Sequence, residues 1–164
     1  MRTSPALALL LFALPAAAGG DASATVEDGV VIGSVAVEAA PEAVRSKLGD
    51  PRWVTTLGDG NTEIEELTKD GDCNVVAYVS HHPIATARYR VRQCPAADGY
   101  RTSLVESEAF STYAQSWTLA EEGGGTRVTY RIDIVSTLPV PKWVVRQTMK
   151  SQVLGMMERL DEEL

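Results

Sequence analysis

The stretch Glu121-Glu122-Gly123-Gly124-Gly125-Thr126-Arg127-Val128-Thr129-Tyr130-Arg131-Ile132-Asp133-Ile134, followed by Leu138-Pro139-Val140-Pro141 and an uninterrupted run to Leu164, decides the fold. The acidic and glycine residues form a hairpin turn, and Thr126 to Ile134 alternates as a half-buried strand does. Past the prolines, Val145, Met149, Val153, Met156, Leu160 and Leu164 recur at spacings of three and four, the signature of an amphipathic helix. One helix cannot bury so wide an apolar stripe alone, so the strands upstream must supply the sheet that holds it. A sheet gripping a helix often encloses a cavity.

Working back from there, six consecutive antiparallel strands are expected: Thr62 to Lys69, Asn74 to Ser80, Thr86 to Gln93, Tyr100 to Glu108, Ser111 to Ala120 and Thr126 to Ser136. Val30 to Glu38 is a β-branched, alternating first strand, which brings the total to seven. Pro41-Glu42-Ala43-Val44 and Asp50-Pro51-Arg52-Trp53 open two short helices after it, each with proline where a first helical turn tolerates it. Strands run together and then capped by a helix read as an α+β domain. No internal repeat or low-complexity linker divides it.

Residues 1–24 read as a secretory signal peptide. Arg2 supplies the positive start, Ala6 to Leu14 is an apolar run too short to span a bilayer, and cleavage is expected after Ala18 or after Ala24. The mature domain then covers residues 25–164, exported to the periplasm or medium, with no further membrane span expected. The full chain carries 15 basic and 22 acidic side chains, a net charge of -7. Cleavage after Ala18 takes away Arg2 and no acid, leaving 14 against 22, a net of -8. Such a surface repels phosphate backbones, and no basic cluster offsets it, so nucleic acid is excluded as a partner.

Export makes a disulfide between Cys73 and Cys94 chemically possible. A hairpin symmetric about Pro83 and Ile84 would put the two cysteines opposite each other, at about 4.5 to 5.5 Å between β-carbons, somewhat wide of the bridge optimum. Two free thiols remain the alternative.

Catalytic constellations are weak. His81 and His82 point to opposite faces of a strand, there is no His-Glu-x-x-His helix and no Gly-x-Ser-x-Gly elbow, and Gly123-Gly124-Gly125 lacks the strand-to-helix context and lysine of a phosphate loop. The expectation is therefore no catalytic residue, no metal site and no cofactor. Alternation instead collects Val128, Tyr130, Ile132 and Ile134 on one face. If Glu121 pairs with Gly124, Trp117 opposes Val128 and joins them, with Gln115 and Tyr113 farther along. Tyr78, Tyr89 and Val91 line the same interior from across the sheet. On the helix, Thr148, Gln152 and Gly155 fall near one line, a cavity-facing edge, while the plainer role for Gly155 is close packing of a strand. Apolar walls with sparse hydroxyls suit a hydrophobic ligand, and the same residues also make an ordinary filled core.

Ser116-Trp117-Thr118-Leu119, Gly125-Thr126-Arg127-Val128-Thr129-Tyr130 and Leu138-Pro139-Val140-Pro141-Lys142-Trp143-Val144-Val145 resemble the closing portion of START-like lipid-binding and polyketide cyclase/dehydrase domains. The resemblance spans about Val30 to Leu164. It implies the helix-grip fold, a curved antiparallel sheet wrapped around the C-terminal helix and an apolar pocket. Related bacterial domains carry an Arg-Asp pair entering the fourth strand. Arg88 matches the arginine here, and Tyr89 stands where the acid would be. Arg88, Arg90 and Arg92 share one strand face, either solvated and paired with Glu106 and Glu108 or, for Arg88, reaching an anionic head group. The ligand-binding set expected is thus Tyr78, Arg88, Tyr89, Glu106, Tyr113, Gln115, Trp117, Tyr130, Thr148 and Gln152. The function expected is a monomeric, exported binding module for a lipid or other hydrophobic small molecule. The alternative is a cyclase or dehydratase acting on a polyketide-like substrate through Arg88, Glu106 or Tyr130.

Overall fold

A computed structural model describes residues 21–83 and 85–164. The apolar run Ala6 to Leu14 and the Ala18 cleavage position lie outside the described residues. In chain order the elements are β1 (Ser23–Glu27), β2 (Val30–Val37), α1 (Pro41–Leu48), α2 (Pro51–Thr56), β3 (Thr62–Asp70), β4 (Cys73–His82), β5 (Ala85–Ala96), β6 (Gly99–Ser107), β7 (Phe110–Glu122), β8 (Gly125–Ser136) and α3 (Lys142–Glu163). The strands make a single open antiparallel sheet in the order β1-β2-β8-β7-β6-β5-β4-β3. The architecture is the expected α+β helix-grip, with eight strands rather than seven.

The additional strand is β1. Asp28 and Gly29 both take positive φ, 49° and 85°, which is the two-residue turn that reverses a hairpin without splaying its strands. Ser23 therefore pairs with Ser34 and Glu27 with Val30. Gly123 and Gly124, at φ 59° and 85°, make the same kind of turn between β7 and β8. Glu122 pairs with Gly125, so Trp117 lies opposite Tyr130, not Val128 as expected. The pairing differs from expectation by two residues, and because side chains alternate with period two, Trp117 still faces inward.

The core is the inner face of β2, β8 and β7 with the helix above it. Val35, Val37, Trp117, Val128, Met157 and Leu160 are almost wholly buried, each contributing about 1.5–3 kcal/mol through removal of apolar surface from water. α3 lies mainly against β2 and also touches β1 and β8. The close approach is made by Gly33 of β2, not by Gly155. A β-carbon on Gly33 would stand 2.5 Å from Val153 Cγ1 and 2.9 Å from Met157 Cγ. A β-carbon on Gly155 would meet only the Arg159 guanidinium, at 3.5 Å. Arg159 Nε in turn donates to the Leu57 carbonyl at 2.6 Å, tying α3 to the end of α2.

The two short helices close one end of the sheet. Asp50 caps α2 by accepting from the Arg52 amide at 2.9 Å. The orphan carbonyls at the end of α1 are met from the sheet: Asn74 Nδ2 donates to Gly49 O and to Gln93 Oε1, both at 3.1 Å, and Gln93 Nε2 donates to Leu48 O at 3.2 Å. Cys73 and Cys94, one step beyond that Asn74 and Gln93 pair, are joined by a disulfide with their Cα atoms 4.3 Å apart. The hairpin symmetry read from Pro83 and Ile84 is the observed register.

Candidate functional site

Between the concave sheet face and α3 lies an inner cavity of 180 Å³, lined by residues that include Tyr78, Tyr89, Tyr113, Gln115, Trp117, Tyr130, Ile132, Met149, Gln152 and Met156. An outer chamber of 300 Å³ adjoins it, walled by Pro83, Ala87, Leu138, Val140, Val144, Val145 and Thr148. His82, Phe110, Ile134, Met149 and Gln152 line both. Small-molecule sites run to roughly 300–1,000 Å³, so the inner cavity is too small alone and the two together reach that range.

Each wall follows from strand alternation. Tyr113, Gln115 and Trp117 succeed one another on the inner face of β7, and Tyr130, Ile132 and Ile134 do so on β8. Trp117 and Tyr130, directly paired, hold their rings 4.5 Å apart. Tyr89 of β5 sits at the centre of an aromatic cluster, with Tyr113 at 5.0 Å, Phe110 at 5.3 Å and Tyr78 at 5.4 Å between ring centroids. Gln115 Nε2 donates to the Tyr113 hydroxyl, and Tyr130 lines the same cavity wall.

Burial decides the protonation of these phenols. Desolvation pushes Tyr89 up to about 12, partly offset by a hydrogen bond with Tyr113. Tyr78, Tyr113 and Tyr130 are also raised, in each case chiefly by burial and next by the neighbouring tyrosines. At physiological pH all four are neutral, so they offer hydroxyls for hydrogen bonding and not phenolate bases.

One edge of the cavity is polar. Thr62 and Ser80 hydroxyls lie 2.9 Å apart, and Ser80 Oγ is 3.1 Å from His82 Nε2. Across from them Gln152 Nε2 of α3 donates to Asp59 Oδ2 at 3.0 Å. Burial would raise the Asp59 carboxyl, but hydrogen bonds from Asn61 and Gln152 and the nearby His82 outweigh it and hold it below the usual carboxylate range.

Of the ten side chains expected to bind ligand, seven line the inner cavity: Tyr78, Tyr89, Tyr113, Gln115, Trp117, Tyr130 and Gln152. Thr148 is exposed and borders the outer chamber. Arg88 and Glu106 are not brought to the cavity. Alternation turns both to the outer sheet face, where Arg88 pairs with Glu65 at 3.3 Å, Arg90 with Glu66 at 2.9 Å and Glu106 at 3.2 Å, and Arg92 with Asp70 at 3.0 Å. Most of the arginine partners thus come from β3, and Glu108 is not among them. Asp59, Ser80, His82, Phe110 and Met149 were missed. Ser80 and His82 follow Tyr78 at period two, a signal sufficient to have found them. On α3, Met157 is the fully buried methionine and Met156 faces the cavity, the reverse of the expected stripe.

No curated protein matches the chain. Among solved structures it is similar to TTHA0849 from Thermus thermophilus, at 21% identity and a TM-score of 0.69 over 81% of this chain and 94% of that one. It is similar to the Zhui aromatase/cyclase from Streptomyces sp. R1128, at 17% identity and 0.61 over 79% and 93%. It is also similar to a STAR-related lipid transfer protein from Xanthomonas axonopodis, at 18% identity and 0.58 over 87% and 98%. At such identities the likeness establishes the fold alone. The family model described as polyketide cyclase / dehydrase and lipid transport matches residues 29–164, nearly the whole of the described domain, and the chain belongs to that family.

Proposed function

We propose that this domain is an exported, monomeric binding module that holds a lipid or comparable hydrophobic small molecule between α3 and the sheet. The observation that carries the reading is the pair of adjoining chambers walled by aromatic and aliphatic side chains, with neutral phenols, the Gln115 and Gln152 amides and one polar edge as their polar groups. Such a lining favours apolar bodies and fixes them with a few hydrogen bonds. The N-terminal pattern supports export, and a disulfide fits an oxidising compartment. Cleavage after Ala18 is the more consistent choice, since cutting after Ala24 would remove Ser23 and Ala24 from β1. Native mass spectrometry of protein isolated from the compartment where it accumulates tests the reading. A stoichiometric co-purifying mass, on a chain beginning at Gly19, is the expected result. Ligand-free protein that takes up no sterol or acyl probe contradicts it.

The cyclase or dehydratase reading keeps one supporting observation, the hydrogen-bonded pair of Tyr113 and Gln115 with the Tyr130 phenol on the same cavity lining. A neutral phenol there suits polarisation of a ketone. Arg88 and Glu106, on the outer face, do not join it. Turnover of a model polyketone that disappears in Tyr130→Phe while hydrophobic probe binding persists is the outcome this reading requires.

A further inference from the structure

The cavity has one charged edge, and its sign constrains the ligand. Among the described residues that line the two chambers, Asp59 is the single carboxylate, and there is no lysine or arginine. Asp59 sits at the opening, in the Gly58 to Asn61 turn between α2 and β3, and is held there from two sides. Its Oδ1 accepts from the Asn61 amide at 3.0 Å and its Oδ2 from Gln152 at 3.0 Å. A carboxylate offers about four lone-pair positions, so acceptor capacity remains beyond those two bonds. The Thr62 and Ser80 hydroxyls and His82 continue the polar edge along β3 and β4. Facing them, Phe110, Ile134 and Met149 offer only apolar surface.

We infer that the bound molecule is an amphiphile whose polar end donates hydrogen bonds and carries no negative charge, a hydroxyl or an ammonium group seated against Asp59, Ser80 and His82, with its hydrocarbon against Phe110, Ile134 and Met149. An anionic head group would meet the Asp59 carboxylate with no fixed cation among the described lining residues to offset it. A donor head group adds a bond to an acceptor that is already oriented. The hydrogen bonds that hold Asp59 ionised maintain this discrimination at neutral pH. The inference rests on the binding reading above and specifies the ligand class for that site.

Competition separates the two claims. Nile red, a neutral apolar dye, reports occupancy, and dodecanol, dodecylamine and dodecanoate, kept below their aggregation concentrations, compete as equal chains with different heads. Dodecanol and dodecylamine are expected to displace the dye at about tenfold lower concentration than dodecanoate, the size a single part-solvated charge a few ångströms away produces. Asp59→Asn, an exposed-turn change, should bring dodecanoate to within about threefold of dodecanol and weaken dodecylamine. Binding of all three chains with no head-group preference, or a preference unchanged in Asp59→Asn, overturns the inference and leaves the binding function standing. Failure of the dye and of every chain to bind overturns the function itself and the inference with it.

Discussion

Replacing Gly33 by alanine tests how α3 is seated. The added β-carbon would lie 2.5 Å from Val153 Cγ1 and 2.9 Å from Met157 Cγ, and those two side chains are 2% and 0% exposed. Met157 has rotatable bonds with which to yield, but Val153 is β-branched and held in one rotamer on the helix, so relief requires α3 to move outward. Overpacking of a filled site costs about 1–3 kcal/mol. Gly33 has no left-handed backbone angle, so alanine fits its strand conformation and regains about 0.4–1 kcal/mol through the unfolded chain. The net expectation is a loss of about 1–2 kcal/mol, which for a domain of this size lowers Tm by about 3–8 °C. Thermal unfolding followed by circular dichroism measures it. The double variant Gly33→Ala/Val153→Ala should show favourable coupling of about 1 kcal/mol, because the truncated valine vacates the space the new methyl needs. An unchanged or raised Tm in Gly33→Ala, or strict additivity in the double variant, would refute the claim that this contact sets the distance between helix and sheet.

The Cys73 to Cys94 disulfide spans 21 residues, and opening it should cost about 3 kcal/mol through restored freedom of the unfolded chain. Alkylation of the native protein without reductant should label neither cysteine. Asn74→Ala should lose about 2 kcal/mol in denaturant unfolding, because it leaves Gly49 O and Gln93 Oε1 without their donor in a buried site. The cavity tyrosines make stability depend on pH at the alkaline end. For Tyr89 the folded value of about 12 exceeds the ordinary 10, so the unfolded chain releases its proton first. That stability is fully present below pH 10 and is lost as pH rises toward 12, and a phenolate absorbance titration should show Tyr89 ionising only as the domain unfolds. Smooth titration of every tyrosine near pH 10 in folded protein would be incompatible with the enclosed cluster.

The elements with strong period two or period 3.6 were legible from residues alone, as β4, β5 and β8 and the extent of α3 show. Alternation also put six of the expected cavity side chains on the correct face, and helix spacing supplied the seventh, Gln152. It was the resemblance to related domains, and not the alternation, that drew Arg88 toward the site, and Glu106 came with it as an acid expected beside that arginine face. The same periodicity that turns Tyr89 inward turns Arg88 out. β1 was missed because Ser23-Ala24-Thr25-Val26-Glu27 overlaps the segment read as a signal peptide and has one large apolar residue, so only the Asp28-Gly29 turn betrays it. Met157 rather than Met156 fills the core because the seat on Gly33 fixes the roll of α3, a tertiary contact without a trace in helix spacing. The Asp59 to Gln152 bond joins residues 93 apart and has no local signature. Hollow space is still less legible, since it is set by side-chain volumes from five or more elements at once.

The central claim is that the room between α3 and the sheet takes up an apolar molecule, and a cavity-filling variant measures this most directly. Ile134 lines both chambers, so Ile134→Trp should occupy the passage between them. A Nile red titration should give saturable binding of one equivalent to the wild-type protein and little or none to Ile134→Trp, while the circular dichroism spectra of the two coincide. No saturable binding to the wild-type protein, or equal binding to a folded Ile134→Trp, would contradict the account.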